Sequence, residues 1–328
     1  MVVADFSYVG PNGIGRFASE VLTRCEVTPL AVHGSVDSPL YSFWLAKSFA
    51  CSNGTLLFSP SYMPPLWAWR PFIFTIHDLN HIDRPENSSF LKRLYYKFVM
   101  RRACLRAAAV LTVSDFSRRR IVEWSGVSAT KVFNVGNGVG RRYQPAGDVY
   151  QPGYDYFLCV SNRKAHKNEE RTIKAFASSS LSPSVKLIMS GVGTKELISL
   201  IRDLGIIDRV VCLGRIEETE MPNLYRGALG VIFVSMYEGF GLPIVEAMAC
   251  GIPVITSNCT AMPEVAGGAA LLVDPLSLID ITNAINRVGS DELLRSRLKS
   301  DGLIQAQNFT WDKVAENVKT IFRRAEVI

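Results

Sequence analysis

The sequence lacks several features that identify common classes of protein. It has no run of about 18 uninterrupted apolar residues, which a membrane-spanning helix requires. Its seven cysteines are odd in number, scattered and nowhere spaced Cys-x-x-Cys, so we expect neither a disulfide framework nor a zinc site. The residues Met1–Asp5 include no basic leader and no long apolar run. We therefore predict no signal peptide and a cytoplasmic protein with reduced thiols.

The composition is that of a globular chain large enough for two domains. Of its 328 residues, 48% are hydrophobic and 20% are charged, which excludes collagen-like, coiled-coil and disordered classes. Short apolar runs such as Leu56–Ser59, Phe72–Ile76 and Phe157–Ser161 predict strands, and they alternate with helical patterns such as that of residues 89–107. Because this alternation is typical of parallel sheets with right-handed crossovers, we predict an α/β protein with two Rossmann-like parallel-sheet domains facing across a cleft.

The domain boundary is predicted from a stretch without periodicity. Residues 141–153 contain Pro145, Gly147, Pro152 and Gly153, a composition typical of a linker. We therefore assign residues 1–148 to an N-terminal domain and 149–310 to a C-terminal domain. A last helix, 311–328, is expected to pack back on the N-terminal domain.

The positive charge is concentrated in the first half of the chain. Residues 1–150 have a balance of +7 and residues 151–328 a balance of −1, which together make the net charge of +6. Between Lys92 and Arg120, nine Lys and Arg residues accompany a single acid, Asp115, with aromatic residues interleaved. This pattern suits a helix on an anionic membrane surface, and equally a solvated helix face over an apolar core. No nucleic-acid motif is present, so nucleic acid is not an expected partner.

The most informative stretch runs from Glu238 to Gly251 and reads EGFGLPIVEAMACG. Its first glycines allow a ligand to approach the backbone closely, and its proline suits the first turn of a helix. The start of that helix presents backbone N–H groups and the positive end of the helix dipole, an anion site that a diphosphate fits. Glu238 and Glu246 would flank this site and accept hydrogen bonds from vicinal hydroxyls of a sugar or ribose. Alternatively, both acids only complement the helix start.

A cationic loop, Ser161–Asn168, follows one predicted strand and precedes a helix. Arg163 and Lys167 have the charge that stabilises a departing diphosphate, whereas Lys164 is expected to be solvated. The sequence contains no Asp-x-Asp, a common motif for holding a divalent metal against a diphosphate. Because fixed cations can do the same electrostatic work, we predict no metal and no cofactor. The alternative is a merely exposed basic loop.

Two further candidate groups lie in the first half of the chain. His77 ends the apolar strand Phe72–Ile76, where it can donate a hydrogen bond to a sugar hydroxyl or a phosphate. A satisfied structural histidine is the alternative. Gly13, Gly15 and Arg16 belong to a glycine-rich turn that opens a helix. This turn has no third glycine in register and is therefore not the dinucleotide-binding fingerprint.

Taken in order along the chain, these motifs resemble those of the retaining family 4 glycosyltransferases of the GT-B fold. The most specific likeness is the pair Glu238 and Glu246, separated by seven residues. Weaker likenesses, persuasive in this order, are Gly13-Ile-Gly-Arg16, His77-Asp78, Arg163 with Lys167-Asn168, Leu224-Tyr225 before Ala228, Pro263-Glu264-Val265 and Asp274-Pro275. The family more often has Gly-Arg at the strand end where this chain has Asn162-Arg163.

The resemblance implies roles for the candidate residues. Arg163 and Lys167 would bind the diphosphate, and Glu246 would bind the ribose diol. Glu238 would take hydroxyls of the transferred sugar, beside which His77 would lie. Further substrate contacts are implied for Gly13, Gly15 and Arg16 with the donor phosphate or acceptor, for Arg215 and Ile216 with the base, and for Gly239, Phe240, Gly241 and Leu242 with the diphosphate.

The resemblance also implies a function. Similarity to bacterial polysaccharide mannosyltransferases favours GDP-mannose as the donor and a glycan or lipid-linked glycan as the acceptor, with front-face transfer that retains the anomeric configuration. The N-terminal domain would then be the acceptor side and the C-terminal domain would bind the nucleotide sugar. The enzyme would lie on the inner face of the cytoplasmic membrane. The alternatives are a nucleotide-sugar epimerase of similar fold and a basic binding module that anchors a membrane assembly.

Overall fold

The computed structural model describes residues 1–326, which divide into two compact units. Unit 1 comprises Met1–Gly138 together with the chain from Thr310 onward, and unit 2 comprises Val139–Phe309. Each unit is built on one six-stranded sheet in which every pair of neighbouring strands is parallel. The predicted α/β class with two parallel-sheet domains is thereby confirmed.

The sheet of unit 1 has the strand order β2-β1-β3-β4-β5-β6. Its strands are β1 Val2–Asp5, β2 Thr28–Leu30, β3 Leu56–Ser59, β4 Phe72–Thr75, β5 Ala109–Thr112 and β6 Val132–Asn134. The inner strands β1, β3, β4 and β5 are buried along their whole length, as expected for strands covered on both faces. Because β2 and β3 lie on opposite sides of β1, the strand order reverses there.

The helices of unit 1 cover this sheet. In chain order they are α1 Gly13–Leu22, α2 Tyr41–Cys51, α3 Asn80–Asp83, α4 Phe90–Tyr95, α5 Arg101–Arg106 and α6 Asp115–Ser125. A π-helical turn, Tyr96–Met100, joins α4 to α5, so the helix predicted over 89–107 forms as one helical segment with a widened turn. This segment buries Tyr96, Met100, Ala103 and Cys104.

The sheet of unit 2 has the strand order β12-β11-β10-β7-β8-β9. Its strands are β7 Tyr156–Cys159, β8 Lys186–Met189, β9 Val210–Cys212, β10 Gly230–Phe233, β11 Val254–Ser257 and β12 Leu271–Val273. From β7 the chain runs outward through β8 and β9, then returns to β10 on the other side of β7. The strand order of unit 2 therefore reverses between β7 and β10.

The helices of unit 2 alternate with these strands along the chain, and the last two follow β12. They are α7 Glu169–Ala177, α8 Lys195–Asp203, α9 Met221–Gly227, α10 Leu242–Ala249, α11 Met262–Ala266, α12 Leu278–Ser290 and α13 Glu292–Ala306. Short 3-10 turns occur at Pro85–Asn87, Ala129–Lys131, Ala165–Lys167 and Ile207–Arg209. No helix in the described part of the chain is long and apolar enough to cross a membrane.

The stretch without periodicity at residues 141–153 packs with unit 2. Arg226 on α9 donates hydrogen bonds to the carbonyl oxygens of Asp148 (2.6 Å) and Gln144 (3.3 Å). The ring of Tyr143 meets that of Tyr225 edge-on, with centroids 5.8 Å apart. Because these contacts hold the stretch against α9, unit 2 begins at Val139, before the start at 149 expected for the C-terminal domain.

The last helix, α14 Trp311–Glu326, packs within unit 1. It lies against α1 and β3. The Trp311 ring meets Phe17 of α1 edge-on at 6.3 Å, and Arg24 Nε donates to Asp312 Oδ1 at 2.9 Å.

Candidate functional site

The topology of unit 2 places the candidate site at the carboxyl ends of β7 and β10. In open parallel sheets, ligands bind where the strand order reverses, outside the carboxyl ends of the two strands concerned. The loop after β7 contains Arg163 and Lys167, and the loop after β10 contains Glu238. The switch point therefore brings together two loops that the sequence singled out independently.

Lys167 and Glu238 form an ion pair across this switch point. Lys167 Nζ lies 2.7 Å from Glu238 Oε1, and each side chain is only 14% exposed. The Lys167 ammonium also lies 5.0 Å from the centroid of the Phe233 ring, at the end of β10. Because the pair is largely shielded from water, its attraction is stronger than that of an exposed surface pair.

Asn168 holds the loop after β7 against the loop after β10. Its backbone is left-handed (φ 60°) and leads from the 3-10 turn into α7. Its buried side-chain amide donates to the carbonyl oxygens of Val234 (3.0 Å) and Pro275 (2.7 Å). The backbone N–H of Met236 in turn donates to the His166 carbonyl at 2.7 Å. The cation of one loop is thus held against the carboxylate of the other by hydrogen bonds on both sides.

Arg163 is in the same loop but binds in another direction. Its guanidinium donates from Nε to the Val192 carbonyl (2.8 Å), from one terminal nitrogen to the Gly191 carbonyl (2.8 Å), and from the other to Glu169 Oε1 (2.7 Å). Its backbone is left-handed, with φ 64°. Arg163 therefore joins the loop after β7 to the loop after β8, and the structure does not bring its guanidinium onto the Lys167–Glu238 pair.

Arg215 and Ile216 follow β9, next to the loop that Arg163 holds. The Gly191 N–H donates to the Gly214 carbonyl at 2.8 Å, which ties the ends of β8 and β9 together. The Arg215 side chain is 86% exposed and lies 3.7 Å from Glu217, and Ile216 is half-buried. These two residues are thus accessible at the same edge of the sheet.

The glycine-rich stretch forms the start of α10 as predicted. Gly241 is the N-terminal cap residue with φ 102°, a left-handed conformation that an L side chain rarely adopts. Pro243 lies in the first turn, and Leu242 begins the helix. Gly239 and Phe240 are buried, and the Phe240 ring meets Phe309 edge-on at 5.5 Å. The helix start therefore has the rigid backbone and the dipole end that an anion requires.

Glu246 is buried inside α10 and is bound by a tyrosine that sequence reasoning left without a role. The Tyr225 hydroxyl donates to Glu246 Oε2 at 2.9 Å. Burial, and then the Glu246 charge, raise the pKa of Tyr225 well above its ordinary value, so it stays a protonated donor. Tyr225 follows Leu224 in one of the motifs that carried the family resemblance, which is the signal that points to it.

His77 lies in unit 1, at the end of β4, and is 7% exposed. Its Nε2 is 3.1 Å from the Pro60 carbonyl, and its ring meets Phe17 edge-on at 4.9 Å. Because a carbonyl oxygen only accepts, Nε2 must carry the hydrogen, which leaves Nδ1 as an acceptor in the neutral ring. Burial lowers the pKa of His77 to about 4, so the ring is neutral near pH 7 and can accept, rather than donate, at Nδ1.

Gly13, Gly15 and Arg16 lie in the first turns of α1, also in unit 1. Asn12 caps this helix by accepting a 2.8 Å hydrogen bond from the Gly15 N–H. A Cβ atom at Gly15 would come within 2.5 Å of the Gly10 carbonyl oxygen, so only glycine lets the turn fold back this closely. Gly13 is exposed and Arg16 is half-buried.

Residues 1–326 contain no group of three His, Cys, Asp or Glu side chains able to hold a metal ion. The candidate site in unit 2 consists instead of a lysine, two glutamates, a tyrosine and a helix start. Such a set can bind an anion through Lys167 and the helix, and hydroxyl groups through the carboxylates.

The chain is similar to known glycosyltransferases over both units. The profile described as Glycosyltransferase Family 4 matches residues 9–141, and that of Glycosyl transferases group 1 matches residues 148–305. O-antigen chain mannosyltransferase B of Escherichia coli is 30% identical over 73% of this chain and 67% of its own length. O-antigen chain mannosyltransferase RfbU of Salmonella typhimurium is 31% identical over 72% of this chain and 66% of its own length. The chain thus spans about two thirds of these relatives.

The architecture is that of solved GT-B proteins. HepE from Anabaena, solved in complex with UDP and glucose, superposes with a TM-score of 0.78 over 98% of this chain and 99% of its own. At 19% identity this likeness concerns the fold alone. It confirms the Rossmann-like GT-B fold that the motifs predicted.

Proposed function

We propose a function that proceeds from two facts: the chain belongs to the family 4 glycosyltransferases and has the GT-B fold. The protein transfers a hexose from a nucleotide-diphosphate sugar with retention of anomeric configuration. The acceptor would be a glycan or lipid-linked glycan in bacterial surface polysaccharide biosynthesis. Mannose from GDP-mannose is the favoured donor, because the two relatives described above are named as O-antigen mannosyltransferases. The observation that carries the proposal is the Lys167–Glu238 pair at the switch point of unit 2.

The donor diphosphate would be bound by the N-terminus of α10 and by cations. The helix start offers backbone N–H groups and a positive dipole end, and Lys167 supplies a full charge beside it. These groups would stabilise the charge that develops on the departing nucleoside diphosphate, without a metal. Arg163 would contribute by holding the loops after β7 and β8 together and by adding its charge to the site.

The two glutamates would bind hydroxyl groups. Glu246, oriented by Tyr225, would accept hydrogen bonds from the ribose diol, and Glu238 would accept them from the transferred sugar. Arg215 and Ile216 would line the base, at the exposed edge beyond β9. Gly239, Phe240, Gly241 and Leu242 would bring their backbone close to the diphosphate.

Bond changes in the proposed transfer occur on one face of the sugar. The bond between the anomeric carbon and the diphosphate oxygen breaks, and the acceptor oxygen bonds to that carbon from the same side. The proton of the acceptor hydroxyl passes to the departing phosphate oxygen, so no protein base is required. Unit 1 would contribute His77, whose neutral ring accepts a hydrogen bond from the transferred sugar. Gly13, Gly15 and Arg16 would contact the donor phosphate or the acceptor.

We place the enzyme in the cytoplasm, bound peripherally to the inner face of the cytoplasmic membrane. The support is the excess of positive charge in residues 1–150, which attracts an anionic surface. A lipid-linked acceptor would also reside at such a surface.

The decisive experiment measures donor binding and turnover separately. Thermal shift against a set of sugar nucleotides should single out GDP-mannose, because a ligand that binds only the folded state raises its apparent stability. With an oligosaccharide acceptor, release of GDP should require that acceptor, and NMR of the product should show the donor's α configuration. Lys167→Met should abolish release, while Lys174→Met, an exposed lysine paired with Glu170 on α7, should not.

Other outcomes would refute parts of this proposal. Isomerised nucleotide sugar formed without acceptor would identify an epimerase. A β-linked product would refute retention, and loss of activity in a chelator that a divalent cation restores would refute metal independence. Absence of any sugar-nucleotide binding would leave a binding module.

A further inference from the structure

Unit 1 carries a surface on which exposed aromatic and basic side chains alternate. It combines the loop Leu66–Trp69 with the exposed side of the helical segment Phe90–Arg106. We call it the aromatic–basic face and define it by six residues: Leu66, Trp69, Lys97, Phe98, Arg102 and Arg106. Loop 66–69 was not part of the sequence argument, because it is remote in sequence from the basic run.

Several contacts hold the loop beside the helix. Leu66 N–H donates to the Ser42 carbonyl at 2.9 Å, and the Ser42 hydroxyl is 3.0 Å from the Tyr95 hydroxyl. The Trp67 ring meets Phe43 of α2 edge-on at 5.2 Å. A cavity of about 60 Å³ is lined from one side by Leu66 and Trp67 and from the other by Phe98, Arg102 and Arg106. The loop and the helix therefore present one continuous surface.

The apolar members of the face are unusually exposed. Trp69 is 84% exposed, Phe98 is 51% exposed and Leu66 is 47% exposed. A tryptophan side chain buries a large apolar area when it finds a partner and is enriched where one end meets hydrocarbon and the other meets water. Leu66 and Phe98 line the same small cavity, and Trp69 follows Leu66 by three residues in the loop, so this part of unit 1 is a surface that something apolar covers.

The basic members are free of intramolecular partners and have no acidic neighbours in sequence. Within residues 1–326, the side chains of Arg102 and Arg106 make no hydrogen bond or ion pair, and the Lys97 ammonium contacts only the face of the Phe98 ring, 5.5 Å from its centroid. Residues 38–77 and 87–114, which supply the whole face, contain no Asp or Glu at all. The charge of the face is therefore not neutralised locally.

The structure also divides the basic run between Lys92 and Arg120 into two parts. On α6, Arg118 donates to the carbonyls of Val132 and Ala129, both at 2.8 Å. Arg120 pairs with Asp83 at 2.6 Å. Arg118 and Arg120 therefore support the fold of unit 1. Apart from the exposed Arg119, the cations of the run that remain available for a partner lie on Phe90–Arg106.

We propose that the aromatic–basic face docks on an anionic phospholipid bilayer, with Trp69 and Phe98 entering the interface and Lys97, Arg102 and Arg106 meeting the headgroup phosphates. The protruding apolar side chains suit the hydrocarbon boundary of a bilayer, and the unpaired cations suit its anionic headgroups. The phosphates of a nucleic-acid duplex would meet only the cations, because its bases are stacked on one another and cannot stack on Trp69 or Phe98. The inference rests on the proposed function in one respect: it gives the residues by which the proposed peripheral membrane location would be achieved, and it does not depend on the proposed transfer reaction.

The experiment is co-sedimentation of the full chain with vesicles of phosphatidylcholine, with and without phosphatidylglycerol. Wild type should bind only the anionic vesicles, and high salt should weaken binding. Trp69→Ala should weaken it about tenfold, since the indole no longer enters the interface. Arg102→Glu with Arg106→Glu should weaken it by more than about 25-fold, at roughly fivefold for each charge removed.

Matched controls lie on α13 in unit 2. Leu293 is 85% exposed, and Arg297 and Lys299 are exposed, so Leu293→Ala and the pair Arg297→Glu with Lys299→Glu should leave vesicle binding unchanged. The GDP-mannose thermal shift of every variant should equal that of wild type. Equal binding to neutral vesicles, or wild-type binding by the variants of the face, would overturn the inference. The inference would also be overturned if the chain bound duplex DNA but no vesicle, and if the same variants abolished the DNA binding.

The two proposals fail separately. Vesicle binding as described, without any sugar-nucleotide binding, would refute the proposed function and leave the docking surface supported. Donor binding without vesicle binding would refute the docking surface and the peripheral membrane location, and would leave the proposed transfer reaction supported.

Discussion

The Tyr225 hydroxyl donates a 2.9 Å hydrogen bond to Glu246 Oε2, and both residues are buried in unit 2. Tyr225 lies on α9 and Glu246 on α10, so the bond also ties these two helices together. Glu246 is therefore a carboxylate whose orientation is set before a ligand arrives.

Tyr225→Phe tests this orientation. Loss of one hydrogen bond to a charged group should raise the KM for the donor about tenfold with little change in kcat, since ribose binding is the same in ground and transition states. The loss should vanish with a donor whose ribose lacks its hydroxyls, because Tyr225 acts through Glu246. Steady-state kinetics with both donors, and with Tyr154→Phe as the control, measures this. An equal loss with both donors would show a merely structural role.

The Lys167–Glu238 pair predicts coupled effects on stability and activity. Lys167→Met should reduce kcat by about 100-fold or more if Lys167 stabilises the departing diphosphate. It should also destabilise the chain, because Glu238 then stays largely buried without its cation. Adding Glu238→Gln should restore part of the stability but none of the activity, as seen by urea unfolding and kinetics. Strictly additive losses of stability would contradict the pairing.

A variant of Arg163 distinguishes two roles: binding of the diphosphate, which the family resemblance implies, and joining of the loops after β7 and β8, which its contacts indicate. Arg163→Ala should lower the free energy of unfolding by about 2 kcal/mol, because two carbonyls and Glu169 lose a charged donor. Amide hydrogen exchange should increase at Gly191 and Val192. Lys164→Ala, on an exposed neighbour, should do neither. If Arg163→Ala impairs turnover but leaves stability and exchange unchanged, Arg163 serves the diphosphate alone.

His77 predicts a pH dependence of stability. Its folded pKa of about 4 lies below the ordinary value of 6.5, so the unfolded chain binds more protons between these two values. The contribution of His77 is therefore fully present above about pH 6.5 and is lost as the pH falls toward 4. Between about pH 7 and about pH 5 we expect the free energy of unfolding, measured with urea, to fall by roughly 2 kcal/mol. The variant His77→Gln should not show this fall. Parallel profiles for both proteins would refute it.

Most strands and helices could be predicted because their patterns are local. The strand Leu56–Ser59 was predicted with its observed bounds. The helix over 89–107 was also predicted, apart from its π-helical turn. The strand Val2–Asp5 was not predicted because it ends in aspartate, a residue type depleted in strands. Thr28–Leu30 and Val132–Asn134 were not predicted because they are three-residue edge strands. Helix α2 was missed because Phe43, Trp44 and Ala50, which lie outside its buried face, are also apolar and leave no clear polar stripe.

The site was predictable in its residue types but not in its pairings. Glu238, Glu246 and Lys167 were found from motifs, and the structure unites Lys167 with Glu238 across 71 residues of sequence. Tyr225 and Asn168 were quoted within motifs, yet their hydrogen bonds depend on which elements become neighbours. Loop 66–69 gave no signal, because its exposure is a property of the folded surface.

The sequence by itself determined the alternation of strands and helices, the glycine-rich start of α10 and the concentration of cations in the first half, since each of these follows from neighbouring residues. Tertiary structure alone decided which cation meets which carboxylate. Lys167 faces Glu238 because β10 returns beside β7, whereas Arg163, four residues earlier, turns toward the loop after β8, the strand on the other side. Strand order is set by the packing of the whole sheet, which no local pattern specifies.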